Sequence, residues 1–218
     1  MIAIQKQTVS NALWDSLETL MNLEIFNNFR LVGGTALSLR LGHRISEDID
    51  LFTDSDYGSI DFNQIDEVLA AHFPILQMSY SGNQSFGKSY FIGQSKSSLV
   101  KLDVFYTDAF VFPEQEVDKI RMAALEEIAA MKLDVIARGG RKKDFWDFHE
   151  LMEHFPITEM LHFYENRYPF GSKRDDLILK IYSFENANSD FDPICLRNKY
   201  WQIIKIDIEE KLQSELLK

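Results

Sequence analysis

The sequence predicts an α/β (α+β) protein: a mixed sheet flanked by helices, followed by a helical C-terminal region. Three observations predict it. Between residues 25 and 106, short runs of alternating polar and apolar residues interleave with stretches of helical spacing. Glycine pairs and single prolines punctuate those runs. From about Val117 onward only the helical period remains.

The elements follow in order. Leu13, Leu17 and Leu20, with Trp14 beside them, draw a helical stripe through Val9 to Leu23. Phe29 to Val32 reads as a short strand that stops at Gly33-Gly34. Thr35 to Leu41 resumes a helical pattern, and Gly42 sits where a helix C-terminal glycine belongs. Asp48 to Phe52 alternates like a strand with one wet face. Phe62, Ile65, Val68, Leu69 and Phe73 describe a helix closed by Pro74. Ile75 to Tyr80 and Tyr90 to Gln94 read as paired strands joined by the Gly/Ser/Asn-rich stretch Ser81 to Gly87. Leu99 to Tyr106 is a further alternating strand carrying Asp103. Beyond it, Ile120, Ala124, Ile128, Met131 and Val135 are spaced as one buried helical stripe, broken by Gly139-Gly140. A new helix is expected over Lys143 to His154, and Leu177 to Phe184 and Tyr200 to Leu217 also read as helical. Phe112 to Glu116 looks like a linker, which divides the chain into residues 1–112 and 113–218.

Composition narrows the class. The 218 residues suffice for one substantial domain or two small ones. With 45% hydrophobic and 26% charged residues, the chain is not disordered, collagen-like or disulfide-stapled. Its apolar runs are a handful of residues long, against about 20 needed to span a bilayer, so no membrane partner is expected. Met1 to Gln7 lacks an apolar core of the signal-peptide kind. The lone Cys195 has no internal partner, has no nucleophile context and fits a reducing compartment, hence a cytoplasmic address. Lys and Arg number 23 and Asp and Glu 34, a formal charge of −11. That excludes a protein that coats nucleic acid by bulk electrostatics, because each neutralised phosphate needs a cation. A local basic patch, or acids gathered around Mg²⁺, remains compatible with it.

Two features carry candidate chemistry. On a strand, residues i and i+2 share a face, so Asp48 and Asp50 project into the same space. Adjacent carboxylates repel unless a cation lies between them, and hard divalent ions favour such oxygens. If the strand carrying Asp103 is a neighbour, three carboxylates converge. Such a trio suits two metals about 3.5–4 Å apart that clamp a phosphoryl displacement. Gly33-Gly34-Thr35, between a strand and a helix, lets backbone approach a phosphate at a helix N-terminus. Each feature alone has a plain structural explanation, the solvated side of a strand for one and a threonine-capped turn for the other. Together they place a phosphate cradle beside a metal platform. His43, after Gly42, reads as a surface loop histidine, with substrate contact as the alternative, and His149, His154 and His162 lack paired ligand spacing and suggest no zinc site. Phe145, Trp146 and Phe148 read as core, with base stacking as the alternative.

Gly33-Gly34-Thr35 followed by Asp48-Ile49-Asp50 resembles the nucleotidyltransferase superfamily that includes DNA polymerase beta. The whole stretch Gly33 to Phe52 is similar to the AbiEii/AbiGii toxin family of abortive-infection nucleotidyltransferases. Lys132-Leu133-Asp134-Val135-Ile136-Ala137-Arg138 and Lys143-Asp144-Phe145-Trp146-Asp147 are similar to that family's helical motif, and Val100 to Val104 to its third acidic strand.

The resemblance implies a nucleotidyltransferase fold and a Mg²⁺-dependent enzyme that moves an NMP from an NTP to an acceptor hydroxyl. It implies Asp48, Asp50 and Asp103 as ligands of two Mg²⁺ ions, with Mn²⁺ as the alternative ion. Gly33, Gly34 and Thr35 would grip the triphosphate, with Arg40 as an accessory. Lys132, Arg138 and Lys143 would meet phosphates, and Lys132 and Asp144 would also be active-site residues. The implied partners are an NTP (GTP is one suggestion), a tRNA or other RNA end, and an antitoxin encoded nearby. A small-molecule acceptor and a non-catalytic nucleotide-binding module stay open. Asp134 and Arg138, at i and i+4, also make sense as a plain surface pair.

Overall fold

The stripe Leu13, Leu17 and Leu20 folds into α1 (Asn11–Met21) and is fully buried. Ser10 caps it, its hydroxyl accepting the Leu13 N–H at 3.1 Å. The computed structural model describes residues 3–79 and 86–216. The chain forms two units, Met1–Leu41 with Ser46–Ala123, and Gly42–Ile45 with Ala124–Lys218.

The first unit is built on one mixed sheet. Its strands are β1 (Arg30–Leu31), β2 (Asp48–Thr53), β3 (Ile75–Ser79), β4 (Gly87–Gly93), β5 (Val100–Tyr106), β6 (Gln115–Val117) and β7 (Ile120–Met122). They lie in the order β3-β4-β5-β2-β1-β7-β6, with β2/β5 and β1/β7 parallel and the other neighbours antiparallel. α2 (Gly33–Leu41) follows β1, and α3 (Phe62–His72) precedes β3. Ile49, Leu51, Leu102 and Val104 alternate inward from β2 and β5 and are fully shielded with Leu31, Phe26 and Phe29. Alternation sends their neighbours Asp48, Asp50 and Asp103 to the opposite, half-open face. The antiparallel β3/β4 pairing matches the hairpin expected there, while residues 81–85 of its Ser81 to Gly87 connection lie outside the described residues.

Three readings are corrected by the fold. The period taken as helical from Val117 is strand as far as Met122, because Ile120–Met122 adds to β1 in parallel and folds back on β6. Arg121 locks this hairpin to the turn after α1, donating to the Met21 and Phe26 carbonyls at 3.0 Å each. The stretch read as a linker at Phe112 to Glu116 therefore runs into the sheet. Nor is the stripe from Ile120 to Val135 buried throughout: Ile120, Ala124 and Ile128 are, but Met131 is half-buried and Val135 38% exposed, and Ile128, Ala129, Leu133 and Ile136 form the inner face of the helix. An apolar spacing that crosses a strand-to-helix boundary mixes residues from two elements with different periods.

The second unit comprises α4 (Leu125–Ala137), α5 (Lys142–Leu151), α6 (Ile157–Arg167), α7 (Arg174–Tyr182), α8 (Glu185–Asn188) and α9 (Trp201–Leu216). α4 packs on α5, α6 and α7, and α9 packs on α5 and α6. A fully buried ion pair, Glu127 with Arg167, ties α4 to α6. Phe145, Trp146 and Phe148 are core: Phe145 meets Phe184 edge-on at 5.1 Å, and Trp146 stacks on Trp201. Gly42–Ile45 belongs here through main-chain bonds from Ile45 N–H to the Ile194 carbonyl and from Leu196 N–H to the His43 carbonyl, both 2.9 Å. No described helix is long and apolar enough to cross a membrane.

Candidate active site

The site begins where β1 ends. The Val32 N–H bonds the Asp50 carbonyl at 2.9 Å, and the chain turns at once into α2. Gly33 makes that turn with φ of +68°, and a Cβ on it would lie 2.6 Å from Oδ2 of Asp50. The glycine is required twice, by its backbone and by the carboxylate resting against it. Gly33→Ala is therefore expected to lower stability by about 1–3 kcal/mol and to push the Asp50 carboxylate aside; paired thermal melts and activity assays would check it, and an unchanged melt counts against the strain.

Thr35 lies behind the turn, 1% exposed. Its hydroxyl hydrogen-bonds Ser46 Oγ at 2.9 Å and donates to the Asp48 carbonyl. The side chain thus anchors the start of the acid strand, and its main-chain N–H belongs to the first turn of α2, whose amides lack partners within the helix. Arg40, buried at the other end of α2, donates to the Ala123 carbonyl at 3.1 Å.

The register of β2 against β5 sets the acid face. Asp50 pairs directly with Asp103, and Asp48 with Lys101. Residues in register on neighbouring strands share a face, so Asp48, Asp50, Asp103 and Lys101 meet on one side of the sheet. The Lys101 ammonium pairs with Asp103 Oδ2. Burial opposes its charge, but the Asp103 hydrogen bond and the charges of Asp103, Asp48 and Asp50 outweigh that and hold its pKa above the ordinary lysine value.

Do these residues suit a divalent metal? Among the described residues no group of three His, Cys, Asp or Glu side chains is already arranged to hold an ion. The donor set nevertheless fits: hard carboxylate oxygens on one face, with Oδ1 of Asp103 buried and making no hydrogen bond to the described residues. That oxygen has acceptor capacity that the described residues leave unused.

In the second unit, Lys132 on α4 faces α5. Its side chain is 8% exposed, and the ammonium lies 2.8 Å from Asp144 Oδ1 and 2.7 Å from Asp147 Oδ2. Asp144 also accepts the Arg141 N–H at 3.0 Å, which secures the start of α5. Asp147, fully buried, accepts from Arg44 at 2.6 and 2.8 Å and bonds His43 Nε2 at 2.7 Å. Burial favours a neutral Asp147, yet the charges of Arg44 and Lys132 and the bonds from Arg44 and His43 hold its pKa well below the usual carboxylate range. For Lys132, burial is likewise outweighed, by Asp147 and Asp144 against an opposing Arg44, and its pKa is raised.

The exposed cation is Arg138, 72% accessible and paired with Asp134 one turn back; Lys143 is half-buried. Sequence reasoning singled out Lys132 and Asp144 but missed Asp147 and the His43–Arg44 pair. One signal was available for Asp147: it lies at i+3 from Asp144, on the same face of α5. Nothing local foretold that residues about a hundred positions earlier would close on it.

A mixed sheet with a glycine turn beside an Asp-x-Asp strand, and a third aspartate opposite the second, defines a nucleotidyltransferase. MenT4, a nucleotidyltransferase toxin from Mycobacterium tuberculosis H37Rv, superposes with a TM-score of 0.63 at 13% identity, covering 94% of this chain and 84% of that one. JHP933 from Helicobacter pylori gives 0.55 at 17% identity, with coverage of 92% and 89%. An uncharacterized protein of Aquifex aeolicus (strain VF5) is 28% identical over 220 residues, which span 93% of this chain and 95% of that protein. The family model described as nucleotidyl transferase AbiEii toxin, Type IV TA system, matches residues 15–214. The chain belongs to the AbiEii nucleotidyltransferase toxin family, and a Type IV toxin–antitoxin family implies a nucleotide substrate and an antitoxin counterpart.

Proposed function

We propose that this nucleotidyltransferase moves an NMP from an NTP to an acceptor hydroxyl with release of pyrophosphate, in a Mg²⁺-dependent reaction whose acceptor is tRNA or another RNA end. The observation that carries the reading is the register that sets Asp103 opposite Asp50 on the face shared with Asp48. Gly33, Gly34 and Thr35 present the first amides of α2 to the triphosphate, where the helix dipole favours negative charge. The Thr35 hydroxyl, spent on the Asp48 carbonyl, keeps the acid strand aligned with that turn.

Two Mg²⁺ ions, or Mn²⁺ in their place, would be held by Asp48, Asp50 and Asp103 and would supply charge neutralisation at the phosphorus and the leaving pyrophosphate. The acceptor oxygen attacks the α-phosphorus, its proton passes to the Asp103 carboxylate, and the bond to pyrophosphate breaks with the electron pair leaving on pyrophosphate. Lys132, Arg138 and Lys143 neutralise phosphate charge in this reading, with Arg40 as a support for α2. Lys132 has two of its three donors engaged by Asp144 and Asp147, which leaves one to direct at a phosphate oxygen. Asp144 acts by orienting that ammonium.

The formal charge of −11 favours a second reading, in which the acceptor is a small molecule rather than RNA. Both are tested by giving the protein each α-phosphate-radiolabelled NTP, Mg²⁺ and total tRNA beside the Asp48→Ala/Asp50→Ala variant. Labelled tRNA with the unaltered protein only is the expected outcome, and the active lane names the nucleotide. Pyrophosphate release without labelled tRNA would move the acceptor to a small molecule. NTP binding with neither product would leave a silent binding module.

A further inference from the structure

Lys101 has no part in the reaction described above, yet its ammonium lies on the acid face. It stands in register with Asp48, two residue pairs from Asp50 and Asp103. Its ammonium pairs with one oxygen of Asp103 while the other oxygen is buried and makes no hydrogen bond to the described residues. The Lys101 side chain is 37% exposed on a flexible stem, so water is within its reach when it lets go of Asp103.

We propose that Lys101 is a built-in counter-cation of the acid face: in the metal-free chain its ammonium neutralises Asp103, and a divalent ion binds by displacing it. The inference rests on the metal-dependent reading above. An ammonium at Oδ2 and a divalent ion at Oδ1 of one carboxylate repel each other at close range, so the ammonium and the ion compete for Asp103. The lysine holds like charges together while the ion is absent and sets a threshold concentration for ion binding. A permanent strut that merely aligns Asp103 has the opposite consequence, because its removal weakens ion binding.

The test uses the full chain stripped with EDTA, with thermal melts during titration of Mn²⁺ alone and no nucleotide. Lys101→Met is expected to melt below the unaltered protein in EDTA, and its half-saturating Mn²⁺ to fall about three- to tenfold. Lys101→Arg keeps the charge and is expected to stay near the unaltered value. A half-saturating concentration that is unchanged or higher in Lys101→Met overturns the proposal, as does the absence of any Mn²⁺ stabilisation in all three proteins. Should Lys101→Met fail to fold, Lys101→Gln is read in the same way. The label-transfer assay separates the two levels: metal-dependent transfer alongside an unchanged Mn²⁺ requirement removes only the counter-cation, whereas no transfer with any NTP or acceptor removes the transferase reading.

Discussion

Asp50→Asn is expected to cut nucleotide transfer by at least about 10³-fold while leaving the fold intact. Asparagine has nearly the same volume and shape, so it fits the space between Gly33 and β5 without a new clash. It removes one of the charges that would hold the metal ions, and it turns one oxygen into a donor facing Asp103. The loss falls on the chemical step, so single-turnover label transfer is the proper measurement, with a thermal melt as the control for folding. Transfer within tenfold of the unaltered protein, in a folded variant, would remove Asp50 from the acid trio and with it the strand register as the basis of the site.

Asp147→Ala is expected to destabilise the second unit by about 3–5 kcal/mol, because it strands Arg44 and Lys132 without their shared carboxylate in a buried setting. The three cationic or hydrogen-bonding partners of Asp147 come from a loop and a different helix, so one truncation undoes three contacts. Urea denaturation would read the change as a lowered midpoint, and a shift of under 1 kcal/mol would refute the hub role. The pH dependence follows from the pKa directions. A carboxylate depressed in the folded state adds stability that is fully present above its unfolded pKa of about 3.9 and is lost as pH falls toward the lower folded value. The raised Lys132 adds stability that is present below about 10.4 and is lost as pH rises through its higher folded value. The unaltered protein should therefore weaken on acidification below about pH 4 more steeply than Asp147→Asn. Parallel slopes in that range would count against the depressed carboxylate.

These two aspartates were not equally visible in the sequence. Asp50 sits in a local pattern: alternation announces the strand, i and i+2 spacing puts Asp48 beside it, and the glycine turn ahead supplies the phosphate cradle. Asp147 lies amid aromatic residues on an amphipathic helix, and alone it reads as one more polar position. Its importance comes from contacts more than a hundred residues apart in sequence, which no window of local spacing can reveal. Lys101 shows the same asymmetry. Its type and strand were legible, but its place among the carboxylates depended on which strand became the neighbour of β5.

The β6–β7 hairpin marks the limit of periodicity itself. Ile120 and Ala124 are four apart, as on a helix, but antiparallel pairing with Val117 of β6 claims the first for the sheet and leaves the second to precede α4. Local propensity is a weak prior, and an open strand edge offers pairing that outweighs it.

The sequence by itself determined the alternation that turns three aspartates away from the core, the glycine that only a left-handed turn requires, and the family motif that names the fold. These are short-range facts, written in spacings of two to four residues. The tertiary structure alone decided that β2 and β5 are parallel neighbours with Asp50 opposite Asp103, that Lys101 pairs with Asp103, and that Asp147 collects His43, Arg44 and Lys132. Strand order and buried charge pairing are settled by which apolar surfaces close on one another, a property of the whole chain rather than of any segment.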